Sequence, residues 1–377
     1  MTASATKARG IAASRAQASA ASTAVSRQLS GVADDAALPD APPSRPRLAA
    51  PLPRFVQIEP VGQCNLRCQM CAIQFREDGP PHGPLAFLAF DDFKRLVEGF
   101  GDIDELQLQG LGEPTMHPRF FEMVAWASAR GIRVSTNSNL TLWSERRARQ
   151  CVESGLAALH VSLDAATPAL YERIRRGARF AKVIRNLRRV MDARRALASP
   201  LHVRVVTVLM RQNLHELPAL VRLASAEGVD DMFVQYLCHD FEETSLPDAY
   251  RPMRDFIHDE ALESVPREAL AHAFDEARNA AAACGVRLRL PPLERRARPV
   301  AIPRCDWPWR GAYVSFRGDA MPCCMVGTPD RVNFGNMLED GVADVWNGAE
   351  YEHFREQLAS DRPAAVCRSC ALYRGVF

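Results

Sequence analysis

The sequence predicts an α/β chain: a partial parallel barrel of six strand–helix units, a (β/α)6 architecture, followed by a small cysteine-rich C-terminal domain. Three observations predict it. From Phe55 onward, short apolar runs alternate with longer segments whose apolar residues recur at helical spacing, the pattern of a parallel sheet with crossover helices. The pattern breaks after about residue 240 and again at Pro291-Pro292. Five of the eleven cysteines lie beyond that second break.

Taken in chain order, residues 1–49 are rich in Ala and Ser and then in Pro (Pro39, Pro42, Pro43, Pro46), too poor in large apolar side chains to build a core, and read as a disordered tail. Before Asp34 this tail carries Lys7, Arg9, Arg15 and Arg27 and no acidic residue, as a transit peptide does, but it lacks an amphipathic apolar face and reads as a plain extension. Residues 50–240 form the barrel core. Candidate strands fall near 55–59, 104–109, 132–136, 158–163, 202–209 and 232–237. Between them, 91–99, 118–129, 143–153, 180–195 and 214–226 have helical periodicity, as in Phe93, Leu96, Val97 and Phe100. Residues 241–292 read as an insertion or lid, then a helix over 267–283 and a short strand Val286 to Leu290, and 293–377 make up the C-terminal domain. In such sheets chemistry collects at the carboxyl ends of the strands.

Composition narrows the function classes. Basic and acidic side chains balance, 47 against 45, so no global field selects nucleic acid or an anionic membrane. No run of about 18 uncharged apolar residues would span a bilayer, and the expected location is the cytoplasm. In a long chain of this kind, cysteines point to metal binding or redox chemistry rather than to a disulfide framework.

Cys64, Cys68 and Cys71 form a C-x3-C-x2-C loop directly after the first strand. Three thiolates can hold three irons of a cubane and leave the fourth open, since full ligation takes four cysteines. Zinc is the alternative occupant and would recruit a fourth ligand, with His82 nearby in sequence. The second strand ends in Gln109-Gly110-Leu111-Gly112-Glu113-Pro114, the third in Ser135-Thr136-Asn137-Ser138-Asn139 and the fourth in Val161-Ser162-Leu163-Asp164. Each is also compatible with ordinary turn or capping chemistry.

This order of a cysteine loop, a Gly-Glu turn and polar strand ends resembles the radical S-adenosylmethionine (SAM) superfamily. The resemblance implies a [4Fe-4S] cluster on Cys64, Cys68 and Cys71, with SAM contacts from Met70, Gly110, Gly112, Glu113, Asn137 and Ser162. Arg175 is a further candidate for the SAM carboxylate. Leu111 departs from the family pattern, where many relatives have glycine. In the C-terminal domain Cys305, the Gly318…Pro322-Cys323-Cys324 segment and Cys367-Arg-Ser-Cys370 resemble the SPASM/twitch domains appended to such enzymes. That resemblance implies one auxiliary [4Fe-4S] cluster on Cys305, Cys323, Cys367 and Cys370, with Cys324 the alternative to Cys323. A structural zinc ribbon is the competing reading. Cys151, Cys238 and Cys284 have no partner spacing and read as small buried apolar residues, Cys238 being the one placed to face substrate.

Two clusters and SAM imply hydrogen abstraction by a 5'-deoxyadenosyl radical. With the auxiliary cluster as electron acceptor, the first expectation is oxidation of a small polar metabolite. The alternatives are a peptide-modifying maturase that forms a thioether or carbon–carbon crosslink, and a non-catalytic iron-sulfur electron carrier. The expected partners are a small-molecule or peptide substrate and a reductant such as flavodoxin or ferredoxin. Glu242, His239, Arg310 and Tyr313 lie near the site in sequence, and none is assigned as acid or base.

Overall fold

The computed structural model describes residues 50–76, 83–237, 241–293 and 305–374. The tail at 1–49, together with His82, Cys238 and His239, lies outside the described residues.

Six strands appear where the periodicity places them: β1 (Phe55–Ile58), β2 (Glu105–Leu108), β3 (Arg133–Ser138), β4 (Ala158–Ser162), β5 (His202–Leu209) and β6 (Asp231–Tyr236). The crossovers are α1 (Phe90–Phe100), α2 (Phe120–Ser128), α3 (Glu145–Glu153), α4 (Pro168–Ile174), α5 (Phe180–Ala196) and α6 (Leu217–Ala226). In α1, Phe93, Leu96, Val97 and Phe100 are buried on one face, Asp91 and Asp92 sit in the first turn, where the helix dipole favours them, and Gly101 ends the helix at φ +72°. The α3 N-terminus is capped by Ser144, whose hydroxyl accepts from the Arg147 amide at 3.3 Å. The short α4 was not foreseen from periodicity.

The segment read as a lid holds α7 (Arg251–Glu260), followed by α8 (Arg267–Cys284) and β7 (Arg287–Arg289). The C-terminal domain adds β8 (Gly311–Val314), β9 (Ala320–Met321), α9 (Val342–Trp346) and α10 (Ala349–Leu358). The sheet therefore has nine strands among the described residues, in the order β9-β8-β1-β2-β3-β4-β5-β6-β7, parallel throughout except for β9. β7 extends the far edge beside β6, and β8 pairs in parallel with β1, with Gln57 opposite Tyr313. The barrel wall next to the cysteine loop is thus built from the C-terminal domain.

Strand residues alternate between faces. One face, with Val56, Leu106, Val134, Leu159 and Val203, is buried beneath the helices. The other carries a polar row set by register: Gln57 beside Gln107 beside Ser135, then Asn137 beside His160 beside Arg204 beside Asp231. Arg204 pairs with Asp231 at 2.5 Å. The His160 Nδ1 donates to Asn137 Oδ1 at 2.9 Å, and burial depresses its pKa to about 3, so the ring is neutral. Continued to the carboxyl ends, the same parity brings Gln109, Ser162, Val208 and Gln235 to the mouth of the barrel.

Candidate active site

The carboxyl ends of the strands surround a cavity of about 290 Å3. It is lined by Cys64, Cys68 and Cys71, by Met70, Gly110, Gly112, Glu113, Asn137 and Ser162, and by Arg175, so every proposed ligand of the first cluster and of SAM faces one space. Phe241, Met253 and Ile257 reach it from α7 and the segment before it, and Cys324, Met325 and Val326 from the C-terminal cysteine-rich segment.

The cysteine loop is held from several sides. Cys68 and Arg67 pair antiparallel with Arg175 and Arg176. The Gln69 amide donates to the Ile174 carbonyl at 2.9 Å, and Arg67 Nη1 donates to the Cys64 and Leu66 carbonyls at 2.6 and 2.7 Å. Donors also approach the sulfurs: the Leu66 amide at 3.4 Å and Asn139 Nδ2 at 3.7 Å from Cys64 Sγ, and Arg175 Nη1 at 3.8 Å from Cys68 Sγ. Burial pushes the Cys68 thiol up to about 11 and that of Cys64 higher still. Such thiols ionise when iron replaces the proton, and the donors are already placed to receive that charge. Among the described residues no three His, Cys, Asp or Glu side chains are arranged around a single metal ion. Three thiolates match a cubane with one open iron, whereas a structural zinc takes four ligands, so the chemistry of this donor set fits the cubane.

Both glycines of the Gly-Glu turn are dictated by close packing on the chain that leaves β1. A Cβ on Gly110 would lie 2.1 Å from Glu59 Oε1, and one on Gly112 would lie 2.4 Å from the Val61 carbonyl oxygen. Leu111 donates its amide to Glu59 Oε1 at 3.1 Å, and its side chain lies toward Gly327, 3.8 Å from where a Cβ there would sit. Glu113 is buried, which raises its pKa. Its carboxylate already accepts from Thr115 Oγ1 at 2.5 Å, Ser138 Oγ at 2.7 Å, the Asn139 amide at 2.8 Å and the Thr115 amide at 3.3 Å. It therefore ties the β2 turn to the end of β3 as well as facing the cavity.

In the C-terminal domain, burial raises the Cys323 thiol well above its ordinary range, and Cys324, Cys370, Cys305 and Cys367 all stand close enough to raise it further. The Cys370 amide donates to the Cys367 carbonyl at 3.3 Å, closing the C-x2-C turn. Cys323 is partly buried beside this group, whereas the adjacent Cys324 is exposed and faces the cavity. Cys151 is fully buried in the core, as expected of an unpaired cysteine, whereas Cys284, at the end of α8, is only partly buried and donates to the Ala281 carbonyl at 3.8 Å.

Of the residues considered for acid–base roles, His239 lies outside the described residues, and Tyr313, Arg310 and Glu242 are not in the cavity lining. Tyr313 is buried against Glu59, Arg310 pairs with Asp306 at 3.0 Å, and Glu242 stands 3.6 Å from His258 on the surface. Sequence reasoning missed Glu59 and Arg76, which form an ion pair at 3.0 Å with both side chains fully buried. A charge at the end of an apolar strand was the available signal for Glu59.

The profile of the radical SAM superfamily matches residues 58–224, and that of the SPASM iron-sulfur cluster-binding domain matches 305–371. The chain belongs to the radical SAM superfamily. This radical SAM protein is 26 % identical over 334 residues to the tungsten-containing aldehyde ferredoxin oxidoreductase cofactor-modifying protein of Pyrococcus furiosus, covering 85 % of this chain and 87 % of the relative. It is 25 % identical over 334 residues to the PqqA peptide cyclase of Xanthomonas axonopodis pv. citri, covering 85 % and 81 %. Its fold resembles that of Streptococcus suis SuiB bound to S-adenosylmethionine, with a TM-score of 0.63 at 15 % identity, over 86 % of this chain and 72 % of that one.

Proposed function

We propose that this radical SAM enzyme is a maturase that modifies a peptide, presenting an apolar part of its substrate to the radical site. Cys64, Cys68 and Cys71 hold the catalytic [4Fe-4S] cluster, and Met70, Gly110, Gly112, Glu113, Asn137 and Ser162 surround SAM. Cys305, Cys323, Cys367 and Cys370 hold a single auxiliary [4Fe-4S] cluster. When bound and reduced by a flavodoxin- or ferredoxin-type partner, the catalytic cluster and SAM supply a 5'-deoxyadenosyl radical that removes a hydrogen atom from carbon.

The observation that carries the peptide reading is the chemistry of the cavity wall beyond the proposed SAM residues. Val208, Leu237, Phe241, Met253, Ile257 and Val326 make it apolar. The Tyr236 hydroxyl on that side is committed to the Pro292 carbonyl at 2.9 Å. Apart from the SAM residues, Gln109, Asn139 and Gln235 are the amide side chains of this lining, so a small polar metabolite would gain few partners for the water it loses, whereas an apolar side chain would lie against the rest of the wall. The match to a peptide cyclase over most of both chains supports the same reading, and the match to a cofactor-modifying protein keeps a larger maturation target in view. Dehydrogenation of a small polar metabolite, the first expectation from sequence, has less support than this alternative. The chain's own contribution is to orient the substrate carbon, exclude water and position the cofactor.

The test is anaerobic turnover of the reconstituted enzyme with SAM and dithionite against peptides encoded beside its gene. Loss of two hydrogens from a peptide, with 5'-deoxyadenosine formed in step, is the expected result. Oxidation of a small polyol or amino sugar with no peptide modified overturns the proposal.

A further inference from the structure

Glu59 Oε1 is a shared acceptor. It receives the Tyr313 hydroxyl at 2.8 Å, the Leu111 amide at 3.1 Å and Arg76 Nη1 at 3.2 Å, while Oε2 receives Arg76 Nη2 at 3.0 Å. Glu59, Arg76 and Tyr313 are all buried. Each donor comes from a different part of the site: Leu111 from the Gly-Glu turn, Arg76 from just beyond the cysteine loop, and Tyr313 from β8 of the C-terminal domain. The β1–β8 register sets Tyr313 beside Gln57, two residues before Glu59, within reach of its carboxylate. A second aromatic from the same domain reinforces the contact. Phe316 packs so closely on Gly62, two residues before Cys64, that a Cβ there would meet its ring at 2.4 Å, and Arg76 stacks over that ring at 5.4 Å.

We infer that Tyr313, acting through Glu59, is a positioning residue for the SAM-binding turn Gly110–Glu113, which makes the C-terminal domain part of the cofactor site. The physical reason is that a buried carboxylate goes where its donors hold it. Arg76 neutralises the Glu59 charge, and the Tyr313 hydroxyl fixes the position of the oxygen that receives Leu111 N–H. The turn cannot shift toward β1, because Gly110 is already in contact with Glu59, so displacement of that carboxylate moves the turn directly. This inference rests on SAM occupying the cavity.

The test uses the reconstituted full-length protein and measures SAM affinity by anaerobic equilibrium dialysis, with iron content and melting temperature recorded alongside. Tyr313→Phe removes one hydroxyl and is expected to weaken SAM binding roughly tenfold, the scale of a lost hydrogen bond to a buried charge. Tyr351→Phe is the control. It removes a buried hydroxyl from the same domain, one that donates to the Met321 carbonyl at 3.3 Å, and is expected to leave SAM affinity unchanged. Unchanged affinity in Tyr313→Phe, or equal weakening in both variants, overturns the inference. A wild type that binds no SAM overturns the assignment of the cavity as well. Should Tyr313→Phe fail to fold, wild-type hydrogen exchange reads the same coupling. SAM slows exchange across Gly311–Val314 if the relay holds and leaves it unchanged if it does not.

Discussion

Arg175 holds Cys68 through both backbone and side chain: the two residues pair across an antiparallel bridge, and the guanidinium reaches Cys68 Sγ at 3.8 Å while Asp164 anchors it at 2.6 Å. A positive donor beside a cluster thiolate stabilises the reduced, more negative state. Arg175→Met is therefore expected to make the midpoint potential of the catalytic cluster more negative with its iron content retained. Redox titration followed by electron paramagnetic resonance checks this, and an unchanged potential would confine Arg175 to a structural role.

The two groups of cysteines predict separable iron. Reconstituted wild type should hold about eight irons, and the Cys64, Cys68 and Cys71 triple alanine variant about four. Iron and sulfide counting decides between this and a zinc-bound C-terminal domain, which would hold about four irons in the wild type and none in the variant.

The apolar cavity wall predicts a separation of cofactor chemistry from substrate chemistry. Ile257 projects from α7 and is almost fully buried. Ile257→Glu places a charge where substrate would lie, so modification of the peptide should fall at least roughly tenfold while uncoupled formation of 5'-deoxyadenosine continues. Loss of both together would place Ile257 in support of the fold.

His160 predicts an acid-sensitive barrel. Its folded pKa, about 3, lies below the unfolded value of 6.5, so between those limits the unfolded chain binds more protons. Its contribution to stability is complete above pH 6.5 and is lost progressively on acidification toward 3. His160→Gln removes this titration. Its melting temperature should decline less steeply than that of wild type over the same range, and parallel declines would refute the assignment.

The strand–helix alternation was readable because it depends on local periodicity, and the six barrel strands fall within a residue or two of where the pattern puts them. The first cysteine loop was readable for a similar reason, since three ligands within eight residues need only one turn of chain to converge. The Gly-Glu turn was readable in part. Its sequence marked it, but why Gly110 and Gly112 must be glycine depends on Glu59 and Val61, which reach it across the sheet. Sequence order suggested Tyr313 and Arg310 as residues near the substrate, yet β8 turns Tyr313 into the barrel wall and Arg310 into solvent.

The sequence by itself determined the barrel strands, the two cysteine groups and hence the family, because each is written in residues close along the chain. Only the tertiary structure decided that β8 completes the sheet beside β1, that Cys324 rather than Cys323 faces the cavity, and that the cavity wall beyond the Gly-Glu turn is largely apolar. The Tyr313–Glu59 hydrogen bond spans 254 residues of sequence. No local period records such a pairing. It follows from how parallel strands order themselves in a sheet, which is settled by packing the whole core at once.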